Sequence, residues 1–297
     1  MGDLIWDHGA LEVGWRALAE RYAALSVSVL TRSILGREIP LIKLGQGKRA
    51  VLYVGAHHGT DGITTGVLMD FVADYLRQYE RGATVFEYPM SYLFEERCIY
   101  VVPMLNPDGV EYAVKGIAQD NPLLERVMKM EGSGDLSHWQ ANARGVDLHH
   151  NYDAGFFSFQ RTSGLQEGAA ARYGGEFPES EPETAALARF LRWKREEIAG
   201  VISLHTAGEE LISSCCDTLS AKTMAVGRVL SRMTGYEMVR PEGVSAFGSL
   251  SDWCVTKLGR PAFTVRCGKG EVPLAPEQQS RIYERLRRIL FSFPCFV

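Results

Sequence analysis

The sequence predicts an α/β fold in which helices alternate with the strands of one mainly parallel or mixed sheet. Short, continuous apolar runs recur along the chain, as expected of strands that are buried on both faces of a sheet. Segments with apolar residues at helical spacing separate these runs. No low-complexity linker or internal repeat divides the 297 residues, so we expect a single domain that spans residues 1–297.

The first half of the chain contains five predicted elements. They are a helix at 9–25, a hairpin around Gly36-Arg37, a buried strand that begins at Arg49, a helix at 63–79 and a second buried strand at 97–105. The turn signal Asn106-Pro107-Asp108-Gly109 ends the second buried strand.

The second half begins with a polar, irregular stretch at 115–145, for which we expect one helix and loops. The elements predicted after it are a helix at 180–198 with Ser180 as its N-cap, a third buried strand at 200–208, a helix at 220–236 that ends at Gly235, a fourth strand at 261–267 and a closing helix at 276–293.

Composition excludes several classes of function. The formal net charge is −4 with acidic and basic residues intermixed, and no basic block predicts a nucleic-acid partner. No run of about 18 apolar residues predicts a membrane span. The six cysteines form no CxxC pair and no framework spacing, and the first residues lack a signal-peptide pattern. We therefore expect reduced thiols and a cytoplasmic protein; the sequence predicts no oligomeric state.

Polar side chains are concentrated at the ends of the predicted buried strands. His57 and His58 follow the first of these strands, and Asn106, His205 and Arg266 stand at the ends of the other three. In open α/β sheets, ligands bind beyond the carboxyl ends of the strands. We therefore expect the functional site at this edge of the sheet.

His58, Asp61 and His205 are candidate metal ligands. A histidine and a carboxylate three residues apart can face one point, and zinc accepts imidazole nitrogen and carboxylate oxygen as ligands. The residues alone leave other interpretations open. Asp61 can cap the following helix, and His205 can be a hydrogen-bonded histidine without a metal. Alternation along the strand predicts that His57 faces the other way.

Six segments, in this order, resemble the zinc metallocarboxypeptidase family. They are YVGAHHGTDGITTGVLMDFVADYL, VVPMLNPDGVEYA, WQANARGVDLHHNYDAGF, ARYGGEFPESEPET, VISLHTAGEELI and SLSDWCVTKLGRPAFTVRCGKGEVPLAPEQ. The chain is most similar to the bacterial branch of γ-D-glutamyl-diaminopimelate (cell-wall peptide) peptidases.

The resemblance implies an eight-stranded, mixed and twisted sheet with helices on both faces. It implies one Zn²⁺ ion, held by His58, Asp61 and His205. It also implies a metallopeptidase that hydrolyses an amide bond in a small or peptidoglycan-derived peptide. The family has glutamate where this chain has Asp61, which is one methylene shorter, so we expect the metal to shift or the loop to move inward.

Arg266 stands where the family has the glutamate that takes a proton from the attacking water. Arginine cannot act as that base near neutral pH. Three interpretations follow. Another carboxylate acts as the base, with Glu271 as the first candidate and Glu209-Glu210 as the second. Alternatively, Arg266 binds a substrate carboxylate or pairs with Asp61. The third is a catalytically impaired member of the family that acts as a peptide-binding module.

The resemblance also implies residues that bind substrate. His149 and His150 align with the family's Asn-Arg pair, which holds the terminal carboxylate of the substrate. Arg144 is the nearest remaining guanidinium for an anion or an oxyanion, and a salt bridge beside Asp147 is its alternative role. Cys267 is an alternative nucleophile if the adjacent Arg266 lowers its pKa.

Overall fold

A computed structural model describes residues 4–213 and 220–297. Its main feature is a mixed sheet of eight strands in the order β1-β2-β6-β3-β7-β10-β8-β9. The strands of this sheet are β1 Ser26–Arg32, β2 Glu38–Leu44, β3 Arg49–Val54, β6 Arg97–Val102, β7 Ile198–Thr206, β8 Glu210–Ile212, β9 Glu237–Val239 and β10 Ala262–Cys267. A separate short hairpin consists of β4 Thr84–Val85 and β5 Tyr88–Pro89.

Helices cover the sheet and include both long and one-turn segments. They are α1 His8–Arg21, α2 Gly62–Glu80, α3 Met90–Glu95, α4 Pro107–Lys115, α5 Leu124–Glu131, α6 Phe156–Ser163, α7 Pro182–Trp193, α8 Ala221–Thr234, α9 Leu250–Trp253 and α10 Gln279–Phe296. None of the helices within residues 4–213 and 220–297 combines the length and the apolar character needed to cross a bilayer.

Alternating side chains of the central strands enter two separate cores. On one face, Val51 and Tyr53 of β3 pack with Phe71 of α2 and Phe291 of α10. On the other face, Leu52 packs with a set from α7 and α9, which consists of Leu187, Phe190, Leu191 and Trp253. This period-2 division explains why β3 is a continuous apolar run, since both of its faces are covered.

Four neighbouring strands, β6, β3, β7 and β10, run parallel and end at the same edge of the sheet. In the register of β10 and β7, Arg266 lies beside His205. The antiparallel pairing of β10 with β8 places Glu210 beside Arg266 on its other side. The sheet therefore aligns His205, Arg266 and Glu210 across three adjacent strands.

The sequence predicted the central strands and the long helices, but it placed one N-cap wrongly and predicted only a turn at 106–109, where α4 begins with Asn106 as its N-cap. The predicted hairpin, the buried strands and the helix that ends at Gly235 are all present. Ser180 does not cap α7; the N-cap position is Glu181, which makes no side-chain cap. The Ser180 hydroxyl instead donates to Glu181 Oε1 (2.8 Å) and accepts from Asn151 Nδ2 (3.0 Å), so it belongs to a loop network.

Candidate metal centre and cavity

His58, Asp61 and His205 come together at the carboxyl ends of β3 and β7. Asp61 Oδ2 lies 3.1 Å from His58 Nδ1 and 3.2 Å from His205 Nδ1. The two Nδ1 atoms are 3.4 Å apart. Asp61 and His205 are buried, and His58 is half-buried. Residues from two separate segments thus present three ligand atoms to one point.

The spacing of these atoms fits a tetrahedral zinc ion. Ligands about 2.0–2.1 Å from a tetrahedral metal are separated by about 3.3–3.4 Å along each edge. The three measured separations, 3.1, 3.2 and 3.4 Å, are close to this value. Two imidazoles and a carboxylate are also the donor set of many catalytic zinc sites, which keep a fourth position open.

The alternative role considered for Asp61, a side-chain cap of the following helix, is not what the structure shows. Although Asp61 occupies the N-cap position of α2, its side chain makes no cap hydrogen bond. Its Oδ1 atom accepts instead from Thr206 N (3.2 Å) and Thr206 Oγ1 (2.5 Å), and Oδ2 faces the two histidines. Gly59 allows this turn to pack closely, since a Cβ atom there would lie 2.4 Å from Gly109 O and from Trp139 O.

Asp147 orients His58, and sequence reasoning did not assign it a functional role. Its Oδ1 atom lies 3.2 Å from His58 Nε2 and accepts from the His149 amide at 3.1 Å. Its Oδ2 atom accepts from the Arg172 amide at 3.1 Å. Metal-binding histidines commonly donate their second ring nitrogen to a carboxylate in this way. The available signal was the acidic residue two positions before His149.

The electrostatics of the cluster favour protons where a metal would bind. Burial lowers the pKa of His58, but the charges of Asp147 and Asp61 outweigh it and raise the pKa to about 10. Burial raises the pKa of Asp61, but His58 and His205 reverse this and hold it well below its usual range. Burial lowers the pKa of His205, so this ring is neutral near pH 7.

A cavity of about 280 Å³ opens directly over the cluster. Its walls are polar apart from two aliphatic side chains. The lining residues are His58, Thr60, Gln140, Asp147, His149, His150, Arg172, His205, Thr206, Ile212, Ser245, Ser249, Thr264, Arg266 and Val272. The sequence predicted a site role for five of these, His58, His149, His150, His205 and Arg266, and not for the others. Gln140 and Arg172, for example, belong to irregular segments whose conformation depends on tertiary contacts.

Arg266 lines this cavity but does not pair with Asp61. Its Nη1 atom lies 3.0 Å from Glu210 Oε2, the carboxylate of its cross-strand neighbour in β8. The interpretation that paired Arg266 with Asp61 is therefore wrong, because Asp61 is occupied by two histidines and Thr206. Both members of the Arg266–Glu210 pair are partly exposed to solvent.

His149 and His150 both line the cavity, with different surroundings. His150 Nδ1 donates to Phe247 O (2.6 Å), and its ring stacks on Phe159 with a centroid separation of 4.0 Å. The centroid of the His149 ring is 4.5 Å from that of His205, and His149 Nδ1 is buried with no hydrogen-bond partner among residues 4–213 and 220–297. Burial lowers the pKa of both histidines.

Arg144 and Glu271 are not among the residues that line the cavity. Arg144 does not pair with Asp147; its Nη2 and Nε atoms lie 2.9 and 3.1 Å from Glu181 Oε2. Glu271 is exposed and adjacent in sequence to Val272, which lines the cavity.

The cysteine chemistry considered for Cys267 is not supported by its surroundings. Its Sγ atom is buried and donates to His205 O at 3.1 Å. Burial raises the pKa of this thiol instead of lowering it, so the adjacent Arg266 does not activate it. Cys215 and Cys216 lie outside the described residues.

The sequence is similar to a known family. A family model described as zinc carboxypeptidase matches residues 11–238, which include all three candidate ligands. The chain is 28% identical over 292 residues to gamma-D-glutamyl-L-diamino acid endopeptidase 1 of Lysinibacillus sphaericus, covering 98% of this chain and 72% of that relative.

Two solved structures show that the fold is shared. The structure of bovine thrombin-activatable fibrinolysis inhibitor, in complex with tick carboxypeptidase inhibitor, superimposes on this chain with a TM-score of 0.78 at 18% identity. The match covers 98% of this chain and 97% of the bovine chain. Murein-tripeptide amidase MpaA from Escherichia coli O157 has a TM-score of 0.53 at 21% identity, with 91% of each chain covered.

Proposed function

Since the chain belongs to the zinc carboxypeptidase family, we propose that it is a zinc-dependent hydrolase that cleaves an amide bond in a small or cell-wall-derived peptide. The observation that carries this proposal is the triangle of His58 Nδ1, Asp61 Oδ2 and His205 Nδ1, with sides of 3.1 to 3.4 Å. The peptidase relative from Lysinibacillus sphaericus supports the class of substrate.

His58, Asp61 and His205 would hold one zinc ion, which supplies a Lewis acid for the scissile carbonyl. Asp147 holds His58 through Nε2, so that Nδ1 faces the ion. Thr206 fixes the orientation of Asp61 through its other carboxylate oxygen. The ligands are therefore held in place by neighbouring groups before any metal binds.

Arg266, His149 and His150 bind the substrate in this proposal. The Arg266 guanidinium keeps donors beyond the one that faces Glu210, and it can bind a substrate carboxylate. Because His150 Nδ1 donates to Phe247 O, the neutral ring keeps Nε2 as an acceptor. An acidic peptide that offers a carboxylate and amide N–H groups matches these partners.

The proton from the attacking water needs an acceptor other than Arg266. Within the described residues, Asp147 is the one carboxylate that lines the cavity, and it contacts His58. Asp61 contacts both His58 and His205. His149 is an imidazole beside His205 that lines the cavity, and burial lowers its pKa, so the ring is neutral and can accept a proton. We assign His149 as the acceptor of this proton, with Glu271, the exposed neighbour of the lining residue Val272, as the alternative base.

We also propose one catalytic domain and a cytoplasmic location. Support for the domain is that one sheet unites strands from residue 26 to residue 267. Support for the location is that the four described cysteines, Cys98, Cys254, Cys267 and Cys295, are free thiols.

The test measures peptide hydrolysis by the purified protein loaded with zinc. The two substrates are a γ-D-glutamyl-L-diamino acid peptide and an α-linked dipeptide of similar charge. We expect amine release from the γ-linked peptide, abolished by a chelator and restored by zinc. Asp61→Asn should lose this activity together with the metal, and the matched surface variant Asp153→Asn should retain both. Bound zinc without hydrolysis of either peptide would instead indicate a peptide-binding module.

A further inference from the structure

A buried chain of hydrogen bonds runs from His205 away from the cavity. His205 Nε2 lies 3.0 Å from Ser203 Oγ, which lies 3.2 Å from His57 Nδ1. His57 Nε2 lies 3.0 Å from the Tyr152 hydroxyl. All four side chains are buried, and the His57 and His205 rings stack with centroids 5.0 Å apart.

The protons of this chain have two ordered arrangements. In the inward arrangement, Tyr152 donates to His57, His57 Nδ1 donates to Ser203, and Ser203 donates to His205 Nε2. His205 then carries its proton on Nδ1, 3.2 Å from Asp61 Oδ2. In the outward arrangement the directions are exchanged: His205 Nε2 donates to Ser203, Ser203 donates to His57 Nδ1, and His57 Nε2 donates to Tyr152. His205 Nδ1 then has a free lone pair.

Only the outward arrangement leaves His205 Nδ1 able to bind a metal, since a ligating nitrogen cannot carry a proton. Without metal, Asp61 Oδ2 accepts the Nδ1 proton and favours the inward arrangement. Both arrangements contain the same number of protons, so the exchange changes no net charge. A metal at the triangle therefore leaves Ser203 Oγ facing a donor on His205, which frees the Ser203 proton to turn to His57 Nδ1 and to reverse the hydrogen bonds as far as Tyr152.

We propose that His57 and Tyr152, acting through Ser203, are positioning residues that keep His205 Nε2 hydrogen-bonded in both the metal-free and the metal-bound protein, and that His57 changes tautomer when the metal binds. The proposal rests on the proposed metal site. Serine and tyrosine hydroxyls suit this role because each donates and accepts. A permanent partner at Nε2 keeps the ring orientation, which Nδ1 requires for binding.

The direct test is the tautomer of His57, measured from long-range ¹H–¹⁵N correlation spectra of the histidine rings and assigned with His57→Gln. In metal-free protein we expect the His57 proton on Nδ1. Addition of zinc should move it to Nε2, although His57 does not bind the metal. An unchanged His57 tautomer in zinc-loaded wild-type protein would overturn the inference.

Ser203→Ala removes the hydroxyl that links His57 to His205 and so interrupts the series of hydrogen bonds. It distinguishes a positioning role of this series from a role in packing alone. In this variant we expect His57 to carry its proton on Nε2 with or without zinc, and zinc affinity to fall about tenfold or more. Tyr75→Phe is the control, because it removes a buried hydroxyl for which the described part of the chain offers no hydrogen-bond partner; it should leave both properties unchanged. A zinc-dependent switch that persists in Ser203→Ala would contradict the proposed chain.

The metal-free spectra separate this inference from the proposed function. If wild-type protein failed to bind zinc, the metal site would be wrong, yet Ser203→Ala should still move the His57 proton from Nδ1 to Nε2. Zinc could instead bind to a protein in which His57 already carries its proton on Nε2 without metal. The metal site would then stand, but the hydrogen bonds from Tyr152 to His205 would not have the proposed direction.

Discussion

Arg266 stands at the end of β10, beside the candidate ligand His205 and paired with Glu210. A guanidinium there cannot take a proton, and it places a positive charge on the wall of the cavity that covers the candidate metal centre. The identity of this side chain therefore bears directly on whether the cavity favours turnover or binding.

Arg266→Glu is expected to raise peptidase activity, by about 10²-fold or more if the new carboxylate reaches the attacking water. Steady-state hydrolysis of the γ-linked peptide by zinc-loaded protein measures this. Arg266→Gln removes the charge without adding a base and should show no comparable gain. Equal rates for the two variants in folded, metal-loaded protein would exclude a missing carboxylate as the limiting feature.

His149→Phe tests the assigned proton acceptor. We expect a loss of about 10²-fold or more in kcat with zinc still bound, because the ring lines the cavity but is not one of the three ligands. Glu271→Gln is the comparison and should change kcat little. The reverse result, with Glu271→Gln inactive and His149→Phe active, would restore Glu271 as the base.

Zinc affinity is expected to rise with pH. The pKa of His58 is raised to about 10, so at neutral pH a proton occupies the site and must leave when the metal binds. Between pH 5.5 and 7.5, competition with a chromophoric chelator should show about a tenfold gain in affinity per pH unit. Asp147→Asn removes a charge that stabilises the His58 cation and should flatten this slope. A flat wild-type profile would show that no such proton is displaced.

At the residue scale, the sequence predicted which three candidate ligands come together but not their surroundings. His58, Asp61 and His205 were predictable because they follow recognisable strands within family-like segments. Asp147 and Arg172 come from irregular chain, where no periodicity indicates which atoms approach His58. Their placement depends on how the loops between α4 and α7 pack against the sheet.

The element α7 contains a buried acid whose pKa makes a stability prediction possible. Glu183, in its first turn, is fully buried, and no side chain among the described residues donates to its carboxylate. The backbone amides of Ile34 and Glu183 lower its pKa by less than burial raises it. Burial, with the nearby charges of Glu181 and Asp108, raises its pKa to about 8. The folded protein therefore binds this proton more tightly than the unfolded chain, and stability falls as pH rises from about 4.5 to 8.

Glu183→Gln replaces the acid with a neutral side chain of the same shape. We expect it to reduce the fall in Tm between pH 5 and pH 8 and to raise Tm at pH 8 by several degrees. Thermal unfolding followed by circular dichroism measures this, with the exposed Glu196→Gln as control. If both variants follow the wild-type pH profile, Glu183 does not carry the buried proton.

Elements with strong patterns were predictable, and short ones were not. The run at β3 and the helical spacing of α8 specify their own structure, so their existence followed from the sequence. The strands β8 and β9 have three residues each and no apolar run. Pairing with β10 and with each other forms them, and this is a tertiary effect that no local window contains.

For the whole molecule, the sheet order brings together residues that are distant in the chain. His58 follows β3 and His205 lies in β7; these strands are adjacent and parallel although about 150 residues separate them. The two cores hold both strands in register, so the ligand spacing is a property of the entire fold. Strand order could be expected from the family resemblance, whereas apolar patterning alone does not specify it.

Zinc content measured after equilibrium dialysis tests the central claim most directly. We expect one zinc per wild-type chain, less than about a tenth of an equivalent in His58→Ala and His205→Ala, and full content in His8→Gln, whose ring contacts Glu38 O. A folded wild-type chain with less than about a tenth of an equivalent, or ligand variants that retain the metal, would contradict the account.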